Sequence, residues 1–384
     1  MVTSKTINTS AMGIIFPNSY DGLVPELTGI RLMASIPFAS RYRLIDFVLS
    51  SMVHGGIDNV SVMVQRNYLS LMDHLGSGRA WDLTRKNGGL NIIPPYAEKE
   101  SKLFNGHVEA LASLLKYLKE RKEKYVVLSN ANYAMNFDFR ALLKEHVESG
   151  ADVTMVYREE EIPEGLHAQS EDMMDLYYTI DMNQHGRVTY VYMNRRDPGV
   201  YNHCMNITVI DRELLIELVH VAYVRGDVYF TRDVLAPKVN ELNVHGYKFE
   251  GYAAEITGLK SYFEENMKLL KSENLDALFD GPSIYTKIRD DNPTVYVTGC
   301  KVKNIMAADG GQISGEVENS VLFRGVKIGK GAKVKNCIIM QDTVIEDGAV
   351  LEYVIADKDV RVTAGKELKG NEAFPVFVGK GQEI

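Results

Sequence analysis

Phosphate chemistry needs three kinds of residue. Glycines let the backbone approach the oxygens, cations neutralise their charge, and carboxylates hold a metal. The stretch best placed for this runs from Gly13 to Ser51, GIIFPNSYDGLVPELTGIRLMASIPFASRYRLIDFVLSS. It reads as strand, long loop and helix, the order in which many α/β proteins cradle a nucleotide. The parts of a cradle are missing, however. Gly13, Gly22 and Gly29 are scattered with no tight pair, and no lysine occurs between Lys5 and Lys86. Nor do other chemistries stand out. The nine histidines form no H-E-x-x-H or similar metal spacing. Cys204, Cys300 and Cys337 lie far apart, which argues against a zinc site or a disulfide framework and for a reducing compartment.

The elements that must position these residues alternate. Residues 11–16 form an apolar run before Pro17, and residues 60–64, 125–128 and 152–157 repeat the pattern. Between them, Leu44, Ile45, Val48, Leu49, Met52 and Val53 recur at helical spacing and stop at Gly55-Gly56. Residues 68–75, 108–118 and 139–147 read as further helices. GSGRAWDL and a polar loop to Pro94-Pro95 separate the first two. This alternation predicts a doubly wound, Rossmann-like, mostly parallel sheet. The chain then turns strand-rich as far as Ile210, and helices follow over 213–224, 231–239 and 261–270. Composition changes at Gly281-Pro282. Beyond it Val326, Ala332, Ile338, Val344, Val350, Ala356 and Val362 recur every six residues. Three such hexapeptides make one coil of a left-handed parallel β-helix, in which each inward residue stacks on the one before. The expected domains are therefore 1–280, an α/β domain that the resemblance given below implies is nucleotidyltransferase-like, and 281–384, a β-helix whose ends need capping or a partner. A net charge of −8 argues against nucleic-acid binding, and no apolar run is long enough to span a bilayer. The chain reads as cytoplasmic.

At this point the sequence resembles the bacterial glucose-1-phosphate adenylyltransferases. YRLIDFVLSS from Tyr42, HLGSGRAWDL from His74, PPY from Pro94, HVESGADVT from His146 and VENSVLFRGV from Val317 carry the likeness, which spans nearly the whole chain. The family joins glucose 1-phosphate to the α-phosphate of ATP with Mg²⁺ and releases pyrophosphate. Its phosphate loop reads G-G-x-G-x-R-L-x-x-L-T, with a K-P pair further on. Against that pattern the glycine pair falls on Asn18 and Ser19, the third glycine on Asp21, the arginine on Leu23 and the lysine on Met33, while Leu27 and Thr28 match. Asp21 would repel a triphosphate. LSNANYAM stands where the family has L-S-G-D-H, so its metal-binding aspartate becomes Ala131. The second metal aspartate maps to Glu255, and the sugar-contacting E-K-P to Tyr192, Met193 and Asn194.

Each lost transition-state contact of this kind costs roughly 10²–10³ in rate. The resemblance thus implies a degraded site with no metal, most like the GlgD-type branch of the family, which IYTKIRDDNPT from Ile284 also resembles. It further implies a regulatory subunit in a mixed tetramer with a catalytic glucose-1-phosphate adenylyltransferase chain. The alternative is an active sugar-phosphate nucleotidyltransferase with an atypical loop. Some binding features persist in the resemblance. Gln65 matches an adenine contact or is structural. Arg31 and Arg43 match positions near a site for anionic effectors such as a sugar phosphate, with Arg43 paired to Asp46 as the other reading. Arg324 is a weaker candidate for that site, and Glu109 matches an acidic contact or serves a helix start.

Overall fold

The computed structural model describes residues 9–85, 88–94, 104, 106–167 and 177–384; Pro95, and with it most of the PPY segment, lies outside them. The chain forms two compact units that interleave along the sequence instead of succeeding one another. One is Met1–Ser19, Val48–Ala131 and Phe137–Gly251; the other is Tyr20–Phe47, Asn132–Asn136 and Tyr252–Ile384.

The first unit is built on a nine-stranded sheet. Its strands are β1 (Ala11–Phe16), β2 (Asn59–Met63), β3 (Gly89–Ile93), β4 (Tyr125–Asn130), β5 (Val153–Glu161), β6 (Tyr178–Met182), β7 (Val188–Met193), β8 (Val200–Asp211) and β9 (Val244–Lys248). The spatial order is β7-β6-β8-β4-β1-β2-β3, with β5 joining β8 to β9. All six residues of β1 are buried, as expected of a central strand covered on both faces. Strands β4, β1, β2 and β3 are mutually parallel, with Gly13 in register with both Val60 and Val127. After β3 the chain crosses back to place β4 on the other side of β1. The carboxyl ends of β1 and β4 are therefore the topological switch point, where open α/β sheets bind ligands. Helix ends follow local chemistry. In the helix Phe139–Ser149, Asp138 accepts bonds from Arg140 N–H (2.9 Å) and Ala141 N–H (3.0 Å), and Gly150 at φ +64° ends it.

Two helices differ from expectation. The run over 108–118 breaks at Leu114 into His107–Ser113 and Leu115–Lys119. Residues 231–239 form a π-helical turn, Phe230–Leu235, before a short helix Ala236–Lys238. The Asp233 carboxylate anchors that turn by accepting the Val228 and Tyr229 N–H groups at 2.9 and 2.8 Å.

The second unit is dominated by a parallel β-helix. Inward columns are Ile313–Ile328–Ile345–Val362, Val317–Val334–Leu351–Leu368 and Leu322–Ile339–Ala356–Val378. Mates in the second column stand 17 residues apart, one short of three hexapeptides. The strict interval of six therefore does not track the inner face, because a slip of one residue turns a side chain outward. Val326, Ala332, Ala356 and Val362 lie in the coil core. Ile338, Val344 and Val350 stand on the outer side, beside inward Ile339, Ile345 and Leu351. Another outer face is a ladder of opposite charges, with Lys301 on Glu316 (2.7 Å) and Lys303 on Glu318 (3.1 Å). Turns along one corner carry Asn304, Asn319 and Asn336 in the left-handed region, near φ +50°. Tyr353 takes the next place at φ +51°, and its ring packs on Phe263 of the helix Leu259–Lys268, centroids 6.1 Å apart. Among the described residues no helix is long and apolar enough to cross a membrane.

Candidate functional site

At the switch point the chain leaves β1 through Pro17, Asn18 and Ser19 and leaves β4 at Asn130-Ala131. The Ser19 hydroxyl donates to Asn130 Oδ1 at 3.0 Å, which ties the two strand ends together. Its Oγ also lies 3.4 Å from His107 Nε2. His107 opens the helix His107–Ser113, and its ring packs on Phe16, centroids 4.3 Å apart. Gly106 before it passes so close to Val228 that an added Cβ would sit 2.4 Å from the carbonyl oxygen. Close backbone approach, rather than phosphate binding, accounts for that glycine. Burial pushes the His107 pKa down to about 4, so the ring is neutral at pH 7 and supplies no cation. The side chains meeting at this crevice are thus a hydroxyl, an amide and a neutral imidazole.

The loop that would wrap the phosphates is instead braced on itself, within the second unit. Asp21 Oδ1 accepts the Met33 N–H at 2.6 Å. The Thr28 hydroxyl donates to the Asp21 and Val24 carbonyls at 2.7 and 2.9 Å. Met33 is fully buried, and Leu23 is half-buried. Neither side chain offers a charge. The first metal position does not fit a cation either. Ala131 has no ligand atom. Glu255, paired in a short antiparallel ladder with Tyr133, accepts a bond from Asn132 Nδ2 at 3.3 Å.

A cationic cluster does form in the second unit. Arg31 is buried, and its Nη2 lies 2.8 Å from both carboxylate oxygens of buried Asp357. Lys358 follows Asp357, and its backbone N–H donates to Asp357 Oδ1 at 2.7 Å. Burial, with repulsion from Arg43 and Arg31, pulls the Lys358 pKa down to about 7. The Arg43 backbone N–H donates to Asp46 Oδ2 at 2.9 Å, a helix-start contact that leaves the role of its guanidinium a separate matter. Sequence reasoning missed Asp357 and Lys358. They occupy an ordinary coil turn, and no period distinguishes them from their neighbours. Arg324 belongs to another set. It is 7% exposed, its Nη1 donates to the Lys287 carbonyl at 3.4 Å, and it faces Arg41, Arg289, Asp291 and Asp309.

The remaining predicted residues are placed simply. Gln65 is half-buried just beyond β2. Glu109 stands in the first turn of its helix, where a carboxylate meets the positive end of the dipole. The GSGR segment is a turn. Gly78 at φ +76° accepts the Leu83 N–H at 3.0 Å, and an added Cβ there would lie 2.9 Å from that of Leu90. Tyr192 donates its hydroxyl to Asp181 Oδ2 at 3.0 Å, and Arg195 lies over its ring at 4.3 Å.

Comparison with known proteins agrees with this architecture. A nucleotidyl transferase family model matches residues 26–166, and a GlmU-like C-terminal hexapeptide model matches residues 294–373. The chain is 34% identical over 377 residues, 97% of both chains, to the glycogen biosynthesis protein GlgD of Bacillus subtilis (strain 168). It is 38% identical over 334 residues to the GlgD of Geobacillus stearothermophilus, covering 85% of this chain and 84% of that one. It is 29% identical over 336 residues to the glucose-1-phosphate adenylyltransferase of Bacillus mycoides (strain KBAB4), covering 86% and 87%. At these identities over most of its length, and with the self-braced loop and the hexapeptide coil already described, the chain belongs to the glucose-1-phosphate adenylyltransferase family, on its GlgD branch.

Proposed function

We propose that this protein is a non-catalytic subunit of glycogen biosynthesis that assembles with an active glucose-1-phosphate adenylyltransferase chain and modulates it. The Ser19–Asn130 bond across the ends of β1 and β4 carries the reading. It lies at the strand ends of the switch point, Ala131 next in sequence supplies no metal carboxylate, and Leu23 and Met33 of the loop carry no charge. Adenylyl transfer rests on positioning and charge neutralisation, so these losses remove the main sources of rate. They act as one unit and do not simply multiply. Even so, little turnover remains. The cluster of Arg31, Arg43 and Lys358 supports retention of a site for a sugar-phosphate effector, with Asp357 holding Arg31 in place.

The test uses the purified full-length chain with ATP, Mg²⁺ and glucose 1-phosphate. Pyrophosphate release is expected to stay at background, while adding this chain to an active relative changes that enzyme's turnover or its response to sugar phosphates. Release by the isolated chain within about tenfold of a typical ~10 s⁻¹ would overturn the reading.

A further inference from the structure

Tyr190, Tyr192, Arg195 and Tyr201 form one continuous stack in the first unit. The Tyr190 and Tyr192 ring centroids lie 4.4 Å apart, with the ring planes at 50°. The Arg195 guanidinium carbon lies 4.3 Å from the Tyr192 centroid and 4.1 Å from that of Tyr201. Local backbone fixes this order. Tyr190 and Tyr192 stand two apart on β7, so both project from one face of the sheet, beside Asp181 and Thr179 of β6. Val191 between them turns the other way, into the core that holds Phe16 and Leu111. Phe16 packs on His107, so the stack and the switch-point crevice lie on opposite faces of the sheet.

The stack is held before any ligand arrives. Asn194 reverses the chain at φ +46°; its N–H donates to the Tyr177 carbonyl and its Oδ1 accepts the Tyr177 N–H, both at 3.0 Å. The Tyr177 hydroxyl donates to the Arg195 carbonyl. Gly199, at φ +152°, leaves room for the Tyr201 ring, since an added Cβ would sit 3.0 Å from its hydroxyl oxygen. Asp181 accepts the Tyr192 hydroxyl at 3.0 Å and lies 4.0 Å from Arg195 Nη1. Yet Tyr190 is 55% exposed, and Tyr192 and Tyr201 are only partly covered. Ordered ring faces left in solvent, with a carboxylate and a guanidinium at their rim, mark a surface that receives something.

We propose that this stack is a binding platform for a neutral α-glucan chain. A pyranose ring is apolar on its C–H faces and polar around its edge. Its faces stack on tyrosine rings while its hydroxyls reach the Asp181 carboxylate and the Arg195 guanidinium. Side chains already fixed lose little entropy on binding. The platform is an open face, which suits a chain of sugars more than a small metabolite. Rings set at 50° make that face bent, and a coiled α-linked chain follows a bend that a flat β-linked ribbon does not. A single-stranded nucleic acid would also stack, but Asp181 beside Arg195 and a net charge of −8 oppose its phosphates. The platform does not depend on whether the crevice turns over substrate, so the two readings fail separately.

The experiment is native affinity electrophoresis of the full-length chain in gels containing glycogen, with maltoheptaose as soluble competitor. Glycogen should retard the chain, and maltoheptaose should release it. Tyr190→Ala should weaken binding at least about tenfold, as loss of an aromatic anchor does. Tyr190→Phe keeps the ring face and should bind like the parent. Arg195→Ala, the second variant should Tyr190→Ala disturb folding, should weaken binding as well. Tyr223→Ala, at an equally bare position (54% exposed) on the helix Arg212–Arg225, should change nothing. Cellohexaose should not compete, and single-stranded oligothymidine should not bind. Mobility indifferent to glycogen, retardation unchanged in both platform variants, competition by cellohexaose, or preference for oligothymidine overturns the proposal.

Discussion

Single side chains decide what the switch-point crevice is able to do. Ser19 and Asn130 bond to each other where glycine would leave room, and the buried His107 stays neutral. Losing charge here follows from residue type alone and needs no rearrangement of the fold. Lys358 is the opposite case, a cation kept in a costly place. Its pKa lies at about 7 against an ordinary 10.5, with burial the first cause. Below pH 7 the amine is protonated in both folded and unfolded chains, and the folded chain carries the full penalty. Between pH 7 and 10.5 the unfolded chain binds more protons, so this group's contribution makes stability rise with pH. Lys358→Met should therefore stabilise the protein at pH 6, and its advantage should shrink steadily toward pH 10. Urea midpoints of both proteins across that range check this, and a pH-independent difference would refute it.

At the scale of elements, strand, coil and turn obey different rules. The β1 run AMGIIF is buried on both faces, and its apolar continuity alone is enough to place it at the sheet centre. The coil corner is more exacting. Asn304, Asn319 and Asn336 tolerate the left-handed backbone, whereas Tyr353 holds it under strain while contacting Phe263. Tyr353→Asn removes the ring but relieves the backbone. Tyr353→Ala removes the ring and keeps a residue ill-suited to positive φ. Both variants should be less stable than the parent, with the alanine variant lower by about 1 kcal/mol. Equal denaturation midpoints would mean that the corner stores no strain. The same corner shows why the period misled. Seventeen residues per coil approximate three sixes closely enough to look regular over a short stretch.

For the whole molecule, the proposed function is a matter of assembly rather than turnover. The cluster of Arg31, Arg43, Lys358 and Asp357 draws on two distant parts of the chain, brought together inside one compact unit. If it receives a sugar phosphate, Arg43→Ala should blunt sugar-phosphate activation of the proposed mixed enzyme severalfold while leaving its unactivated rate near the parent's. An activation curve identical to the parent's would remove the effector role. The sequence by itself determined the strand–helix alternation, the change to short strands after Gly281-Pro282 and the absence of a glycine pair, a loop lysine and a metal aspartate. Those features depend on residue type and near-neighbour spacing, which a linear reading contains. Only the tertiary structure decided that Ser19 and Asn130 bond across the crevice, that Asp357 holds Arg31, and that Arg195 stacks between Tyr192 and Tyr201. Those pairings join residues up to 326 positions apart, and no local period encodes them.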